Sequence, residues 1–359
     1  MRSKVSILFC IDTLTGGGAE KLLIQILKRF NYDVFQVDLY VMHKIGVYFD
    51  DIHPQVNWFT PENENGRLSK RYEIEIAFLE GAPTKYIAQR HTMALKIAWV
   101  HSCFLDFHWT NVFFESDAEE FACYARMHKI VFVSKGALSQ FKEMFPRMSV
   151  HLQVILNLIE RDEIIEKAQS IRIETAKLTF CSVGNLIHHK GYDRLIPIIA
   201  RLVYSDHLDF HFWIVGMGQQ EKLLKELIEQ YNLQGIVLLQ GFHKNPYPFV
   251  RCADAFISVS TSEGYSLVIA EALCLGKAIM ATKVTGSLEM LDDGKAGLLV
   301  DTDDESVYEG LKKMICSVDL RETLSKEAKI RSEIFDAKKT MELIYSLFSF
   351  KDVIIRNAV

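Results

Sequence analysis

The stretch SEGYSLVIAEALCLG, residues 262–276, follows an apolar strand pattern and continues as a helix. Gly264 lets the backbone approach a ligand closely, and the first amides of the helix Ser266–Leu275 form a positively polarised anion site. Glu263 stands before the helix, and Glu271 falls inside its apolar run, where a buried carboxylate needs a partner. The stretch therefore predicts a diphosphate site, with a ribose on Glu271 and sugar hydroxyls on Glu263.

The predicted ligand-binding residues of this stretch are Gly264, Tyr265, Ser266, Leu267 and Glu271. A second reading stays open at this point, because an acid before a helix can also be an N-cap and a helix glutamate is usually solvated. The apolar sequence LVIAEALCLG favours the buried carboxylate, since it leaves Glu271 little access to water.

A second motif, SVGNLIHHKGYDRLI, spans residues 182–196 and places a strand end at Gly184. Lys190 stands at the predicted start of the next helix, where an ammonium group meets a diphosphate as a compact charge or simply lies at the surface. Gly216, in a Gly-Met-Gly turn, is either a tight turn or one wall of a nucleoside pocket. We predict that Gly184, Asn185, Lys190 and Gly216 belong to the ligand site.

Two further candidates lie in the front half of the chain. His101 follows the apolar strand Ile97–Val100, and a histidine at the carboxyl end of a strand can bind a sugar or a phosphate or be purely structural. Gly17 lies in the glycine-rich loop Thr13–Gly18 between a strand and a helix. That loop lacks the G-x-G-x-x-G spacing, which argues against a nicotinamide dehydrogenase.

Apolar runs of strand and helix type alternate along the chain, which predicts parallel, doubly wound α/β sheets. The pattern occurs twice, so we predict two Rossmann-like domains facing a cleft, at residues 1–165 and 166–339, with a last helix in 340–359 packing back on the first. The predicted strands are Val5–Ile11, Val34–Met42, Ile74–Leu79, Ile97–Val100, Ile130–Val133, Leu178–Val183, Phe210–Val215, Val237–Gln240, Ala255–Val259 and Ala278–Ala281. The predicted helices are Ala19–Phe30, Glu160–Thr175, Lys190–Tyr204, Gln219–Gln230, Ser266–Leu275 and Thr340–Phe350.

Composition sets the broad class of the protein. The 359 residues carry a formal charge of −5, which is not typical of a nucleic-acid-binding chain. Seven cysteines are scattered without a C-x-x-C pair, as expected for free thiols in a reducing compartment. We find no apolar run of the roughly 20 residues that a membrane helix needs. The sequence predicts a cytoplasmic protein.

The two motifs resemble the E-x7-E and G-R-x-x-x-x-K-G patterns of family 4 of the retaining, GT-B-fold glycosyltransferases. The similarity is clear from Leu178 to about Asp304, and it is weaker but ordered through GGGAEK, WVHS and VFVSKGALSQF in the front half. It implies hexosyl transfer from a nucleotide diphosphate sugar, UDP-linked, to a glycan or lipid-linked glycan, as in bacterial polysaccharide biosynthesis. It also implies catalytic roles for His101, Glu263 and Lys190, with no cofactor and no metal.

The chain departs from the family pattern at Asn185, where an arginine usually grips the diphosphate, so one bidentate phosphate contact is missing. This leaves open a non-catalytic partner that binds the nucleotide sugar, or another GT-B enzyme such as a phosphorylase or an epimerase.

Two surface features have competing explanations. Asp301 and Asp303 resemble a D-x-D metal site, but they precede a helical stretch, so we predict that they cap it. Lys85, Arg90 and Lys96 form either a basic stripe for peripheral contact with the inner membrane face or an ordinary solvated helix face.

Overall fold

The computed structural model describes residues 4–63, 67–106 and 108–348. They form two compact units. The first comprises the chain up to Leu158 together with the segment from Ala337 onward, and the second is Ile159–Asp336. The boundary between the two units therefore falls after Leu158, whereas the sequence predicted it after residue 165.

The first unit is built on a seven-stranded parallel sheet with the strand order β3-β2-β1-β4-β5-β6-β7. Its strands are β1 Val5–Ile11, β2 Phe35–Val41, β3 Asn57–Phe59, β4 Ile74–Ala77, β5 Leu95–Val100, β6 Lys129–Phe132 and β7 His151–Val154. The helices between them are α1 Gly18–Lys28, α2 Ala82–Gln89, α3 Asp117–Ala125 and α4 Lys135–Met144. The central strands are buried on both faces, as their unbroken apolar sequences require.

The second unit has a six-stranded parallel sheet with the order β10-β9-β8-β11-β12-β13. Its strands are β8 Thr179–Val183, β9 His211–Val215, β10 Val237–Gly241, β11 Ala255–Ser258, β12 Ala278–Thr282 and β13 Leu298–Val300. Its helices are α5 Arg161–Lys167, α6 Tyr192–Tyr204, α7 Glu221–Gln230, α8 Tyr247–Cys252, α9 Leu267–Cys274, α10 Thr285–Met290, α11 Asp304–Cys316 and α12 Val318–Arg331.

Each sheet contains a point at which the chain reverses its direction of strand addition. In the second sheet this point lies between β8 and β11, and in the first it lies between β1 and β4. Loops that leave the carboxyl ends of such neighbouring strands diverge to opposite faces of the sheet, which opens a crevice between them. The sequence motifs around Lys190 and Glu263 follow β8 and β11, so they flank the reversal point of the second sheet.

The last helix of the described chain, α13 Ala337–Ser346, packs on the first unit. The ring of Tyr345 stacks on Phe35 with centroids 5.5 Å apart, and its hydroxyl accepts from the amide of Asn31 and donates to the carbonyl of Arg29. Ile344 of the same helix is 1% exposed. The predicted helix ran to Phe350, and residues 349–359 lie outside the described ones.

Several predicted boundaries were wrong in an instructive way. The helix predicted from Lys190 starts at Tyr192, because Gly191 adopts a left-handed backbone with φ 72° after a short 3-10 turn. The charged helix predicted over Glu160–Thr175 ends at Lys167. The short strands β3, β7 and β13 escaped prediction because they are only partly buried edge or near-edge strands.

All seven cysteines lie in the described residues and are free thiols, which confirms that prediction, and five of them are buried. Within the described ranges, we find no helix that combines the length and apolarity needed to cross a bilayer.

Ile344→Ala removes a fully buried side chain from α13, so we expect the free energy of unfolding of the first unit to fall by about 2–4 kcal/mol. The neighbouring Leu343 is 37% exposed, and Leu343→Ala is the matched control, with an expected change within about 0.5 kcal/mol. Urea unfolding of the full chain measures both. Equal losses in the two variants would contradict the packing of α13.

Candidate functional site

Two loops at the reversal point of the second sheet are fastened to each other. The loop after β8 and the loop after β11 meet where the amide of Thr261 donates to the carbonyl of His189 over 2.8 Å. Gly191 lies against the same strand end, and a Cβ at that position would stand 2.5 Å from the carbonyl oxygen of Val259. The close approach of the two backbones therefore depends on the glycine.

The side chains of these loops also meet. The ammonium group of Lys190 donates to Oε1 of Glu263, and the hydroxyl of Ser260 donates to the same oxygen over 3.0 Å. The Lys190 side chain is 18% exposed and that of Glu263 is 12% exposed. Both charges therefore remain accessible at the edge of the sheet, where a ligand with phosphate and hydroxyl groups can reach them.

The amino end of α9 lies beside this ion pair. Ser266 is the N-cap residue, yet its side chain makes no capping hydrogen bond, and its buried Oγ has no partner among the described residues. The buried hydroxyl of Tyr265 likewise has none, and burial raises the pKa of this phenol, which keeps it a hydrogen-bond donor. The first-turn amides of α9 can bind an anion.

Glu271 lies one turn further along α9 and is 5% exposed. The hydroxyl of Tyr247, on α8, donates to its Oε1 over 3.2 Å. A buried carboxylate requires such a donor, because its transfer from water without hydrogen bonds is strongly unfavourable. Sequence analysis did not identify Tyr247, since only its buried hydroxyl, 24 positions before Glu271, marks it.

A third loop, after β9, completes the edge of the sheet. Gly216 adopts φ 155°, and a Cβ there would stand 1.9 Å from the carbonyl oxygen of Gly184. The amide of Leu186 donates to the carbonyl of Met217 over 2.9 Å, so the two loops run side by side. Asn185 lies at this contact and is half-buried.

In the first unit, His101 is fixed by a residue that sequence analysis missed. Its amide donates to Oε2 of Glu80 over 3.0 Å, and the hydroxyl of Ser102 donates to Oε1 of the same carboxylate. Glu80 is 1% exposed and follows β4, next to the reversal point of the first sheet. The only sequence signal for it is an acid directly after an apolar strand.

The imidazole of His101 is neutral at ordinary pH. Burial lowers its pKa below the usual 6.5, although the charge of Glu80 and a hydrogen bond to the backbone of Phe78 oppose that shift. Its Nε2 atom is buried without a partner among the described residues. A neutral ring with an unpaired nitrogen can hydrogen-bond a hydroxyl group.

Gly17 is the N-cap of α1 and faces a carboxylate in the first turn of that helix. A Cβ at this position would stand 2.2 Å from Oε2 of Glu20, whose Oε1 accepts from the hydroxyl of Thr15 over 2.9 Å. Burial raises the pKa of Glu20. The carboxylate of Glu20 lies against the loop and would repel a phosphate, so a phosphate contact would have to use the backbone amides of the loop.

The predicted site residues thus divide between the two units. The second unit brings most of them to one sheet edge, namely Gly184, Asn185, Lys190, Gly216, Glu263, Gly264, Tyr265, Ser266 and Leu267, with Glu271 along α9. Gly17 and His101 belong to the first unit. Their individual roles stay predictions.

The two surface features have structural explanations. Asp303 is the N-cap of α11 and accepts from the amide of Ser306 over 2.8 Å, which confirms the predicted cap, while Asp301 pairs with Lys283. The three side chains of the supposed basic stripe have internal partners. Lys85 pairs with Glu119, Arg90 with Glu75, and Lys96 donates to the carbonyl of Arg90.

Residues 163–331 match the family described as Glycosyl transferases group 1. The match covers nearly all of the second unit and none of the first. N-acetylgalactosamine-N,N'-diacetylbacillosaminyl-diphospho-undecaprenol 4-alpha-N-acetylgalactosaminyltransferase of Campylobacter jejuni is 34% identical over 209 residues, 57% of this chain and 56% of that enzyme. The chain thus spans about half the length of that relative. An uncharacterized glycosyltransferase of Haemophilus influenzae is 22% identical over 93% of this chain and 97% of its own length.

Solved structures extend the similarity to the whole fold. HepE from Anabaena, in complex with UDP-glucose, superposes with a TM-score of 0.81 at 20% identity, covering 95% of this chain and 98% of that chain. WaaG, a glycosyltransferase involved in lipopolysaccharide biosynthesis, gives 0.71 at 15% identity, covering 96% and 99%. With the two parallel-sheet units, these neighbours confirm the predicted GT-B fold class.

Gly191→Ala tests the fastening of the two loops. The variant adds a left-handed alanine, at about 1–2 kcal/mol, and a clash with Val259 that we expect to cost at least about 1 kcal/mol more. Gly235→Ala is the matched control, because φ is 80° there and no atom lies within 4 Å of the added Cβ. Chemical denaturation of both variants measures the difference. The same loss in each would show that the loops are not in close contact.

The buried, neutral His101 makes stability depend on pH. Its pKa is below 6.5 in the folded chain, so unfolding takes up a proton in acid, and stability present above about pH 6.5 is lost as pH falls towards the folded pKa. We expect the stability advantage of the wild type over His101→Gln to shrink between about pH 8 and pH 5. Parallel stability curves would contradict the buried, neutral state.

Proposed function

We propose that this chain, with its group 1 glycosyltransferase domain, is a retaining, metal-independent hexosyltransferase. Its donor is a nucleotide diphosphate sugar, UDP-linked, and its acceptor is a glycan or a lipid-linked glycan. The observation that carries the proposal is the cluster of Lys190, Glu263 and the amino end of α9 at the reversal point of the second sheet. Open α/β sheets bind ligands at such points.

The cluster supplies what the leaving group needs. As the bond between the anomeric carbon and the diphosphate oxygen breaks, negative charge grows on the phosphate. Lys190 and the amides of residues 264–267 would stabilise that charge in a partly buried setting, where such contacts are strong. The hydroxyls of Tyr265 and Ser266 add two donors without partners among the described residues.

The remaining roles follow from the chemistry of each side chain. Glu263 would accept from hydroxyls of the transferred hexose, and Glu271 would accept from both hydroxyls of the ribose. His101 would offer to a hydroxyl group its Nε2, which has no partner in the part of the chain that the structure describes. In the retaining course that we propose, the acceptor oxygen bonds to the anomeric carbon on the face from which the diphosphate leaves, and the departing phosphate takes the proton of the acceptor.

The donor and acceptor classes rest on relatives. Anabaena HepE is known in complexes with UDP and with UDP-glucose, which supports a uridine diphosphate donor. The name of the Campylobacter relative contains a diphospho-undecaprenol sugar as acceptor, which supports a lipid-linked glycan. Metal independence rests on the cation that Lys190 already provides and on Asp301 and Asp303, whose carboxylates make other contacts.

One specific observation favours a second candidate, a non-catalytic partner that binds the nucleotide sugar. Asn185 stands where the family pattern has an arginine, so the diphosphate would have one strong contact fewer. Such a protein would bind the nucleotide sugar without breaking the bond between the sugar and the diphosphate, so no free nucleotide would form.

A thermal-shift screen against UDP, GDP, ADP and a panel of UDP-sugars identifies the base and the sugar. We expect UDP and one or more UDP-hexoses to raise the melting temperature, since a ligand that binds only the folded state stabilises it by mass action. The absence of any shift with uridine nucleotides, against a clear shift with another base, would overturn the UDP assignment.

Lys190→Ala and Glu263→Ala separate the two candidate functions. Release of UDP from the stabilising UDP-sugar should fall by about a hundredfold or more in either variant, because each loses a charge that the transition state requires. Lys295→Ala is the control, since Lys295 pairs with Asp292 but is 76% exposed. Circular dichroism checks the fold. Normal turnover in both site variants would rule out their assigned roles, and a wild type that binds but releases no UDP would favour the partner.

A further inference from the structure

We propose that Tyr247 is a positioning residue for the nucleotide: its hydroxyl holds the carboxylate of Glu271 in the orientation that accepts both ribose hydroxyls. The inference rests on the proposed function, because it takes Glu271 as the ribose ligand. It adds a residue that positions a ligand-binding side chain without touching the ligand itself. It also predicts how the protein distinguishes ribose from deoxyribose.

The contact joins two buried side chains on different helices. Tyr247, the first residue of α8, is 4% exposed, and Glu271, on α9, is 5% exposed. The phenolic oxygen lies 3.2 Å from Oε1 of the carboxylate. A hydrogen bond of this kind restricts rotation of the carboxylate plane.

The position of Tyr247 is itself fixed by its neighbours. The side-chain oxygen of Asn245 accepts from the amide of Tyr247 over 3.3 Å, while its Nδ2 donates to the carbonyl of Lys167, at the end of α5, and to Ser170. Phe249 of α8 packs edge-on against Trp213 of β9, with centroids 5.9 Å apart. These contacts tie α8 to α5 and to the sheet, so the phenol approaches Glu271 from a defined direction.

The hydroxyl group is the informative part of the side chain. A phenylalanine would bury its ring equally well, whereas a buried phenol needs a partner for its O–H. The O–H of Tyr247 donates to the carboxylate that the proposed function assigns to the ribose. A carboxylate held in one plane can accept from two adjacent hydroxyls at once, so loss of the phenol should affect recognition of the hydroxyl pair more than the rest of the nucleotide.

Isothermal titration calorimetry of the full chain with UDP and with 2'-deoxy-UDP tests this inference. We expect the wild type to bind UDP more tightly than 2'-deoxy-UDP. In Tyr247→Phe, UDP affinity should fall about tenfold, the equivalent of ~1.4 kcal/mol, while 2'-deoxy-UDP affinity changes little. Glu271→Gln should lose the same discrimination, and the double variant should lose no more than either single one, because both act through one contact.

Tyr204→Phe is the matched control: its hydroxyl donates to the carbonyl of Asn232, and the residue is 51% exposed. It should leave both affinities unchanged. Full discrimination in Tyr247→Phe, with or without a lower melting temperature, would overturn the inference and leave the proposed function intact. A wild type that does not distinguish the two nucleotides would instead overturn the ribose role of Glu271, and the inference with it.

Discussion

The ion pair between Lys190 and Glu263 connects the two loops on which the site depends. Parallel strands deliver their loops to one edge of the sheet, and the reversal between β8 and β11 separates those loops into a crevice. Each charge alone would be unfavourable in a partly buried crevice, whereas the pair compensates both. A bound diphosphate would share Lys190 with the carboxylate, and Glu263 would then be directed at hydroxyl groups. The contact that compensates the two charges therefore also defines what the crevice can bind.

Glycine makes this arrangement possible at three places. Gly191 allows the loop after β8 to touch the end of β11, and Gly216 allows the loops after β8 and β9 to touch. The amide of Gly286 donates to the carbonyl of Glu263, whose oxygen would lie 2.7 Å from a Cβ at that position. Backbones at such distances leave no room for side chains between them, so backbone amides can approach a ligand closely. That is the surface that a phosphate group requires. At each of these positions, glycine costs more conformational entropy on folding and in return permits the close backbone contact.

Much of this site could be predicted from the sequence, because its signals are local. One short window contains an apolar helix with Glu271 inside it and a glycine before it, and a second short window contains Lys190. The structure places these residues at one sheet edge or along α9. The alternation of strands and helices likewise predicted the fold class. The position of Lys190 relative to its helix was predicted less well, since the left-handed turn at Gly191 displaces the helix start by two residues.

Glu80 and Tyr247 could not be predicted, because their meaning lies in contacts with distant residues. Glu80 bonds to the backbone of His101, 21 positions away, and Tyr247 to Glu271, 24 positions away. Only the folded sheet brings them together. The most direct measurement is a crystal structure of the chain with UDP bound. The account predicts the diphosphate against Lys190 and the amides of residues 264–267, with both ribose hydroxyls about 2.6–3.2 Å from the carboxylate of Glu271. UDP bound elsewhere on the second unit, or a ribose that does not contact Glu271, would contradict it.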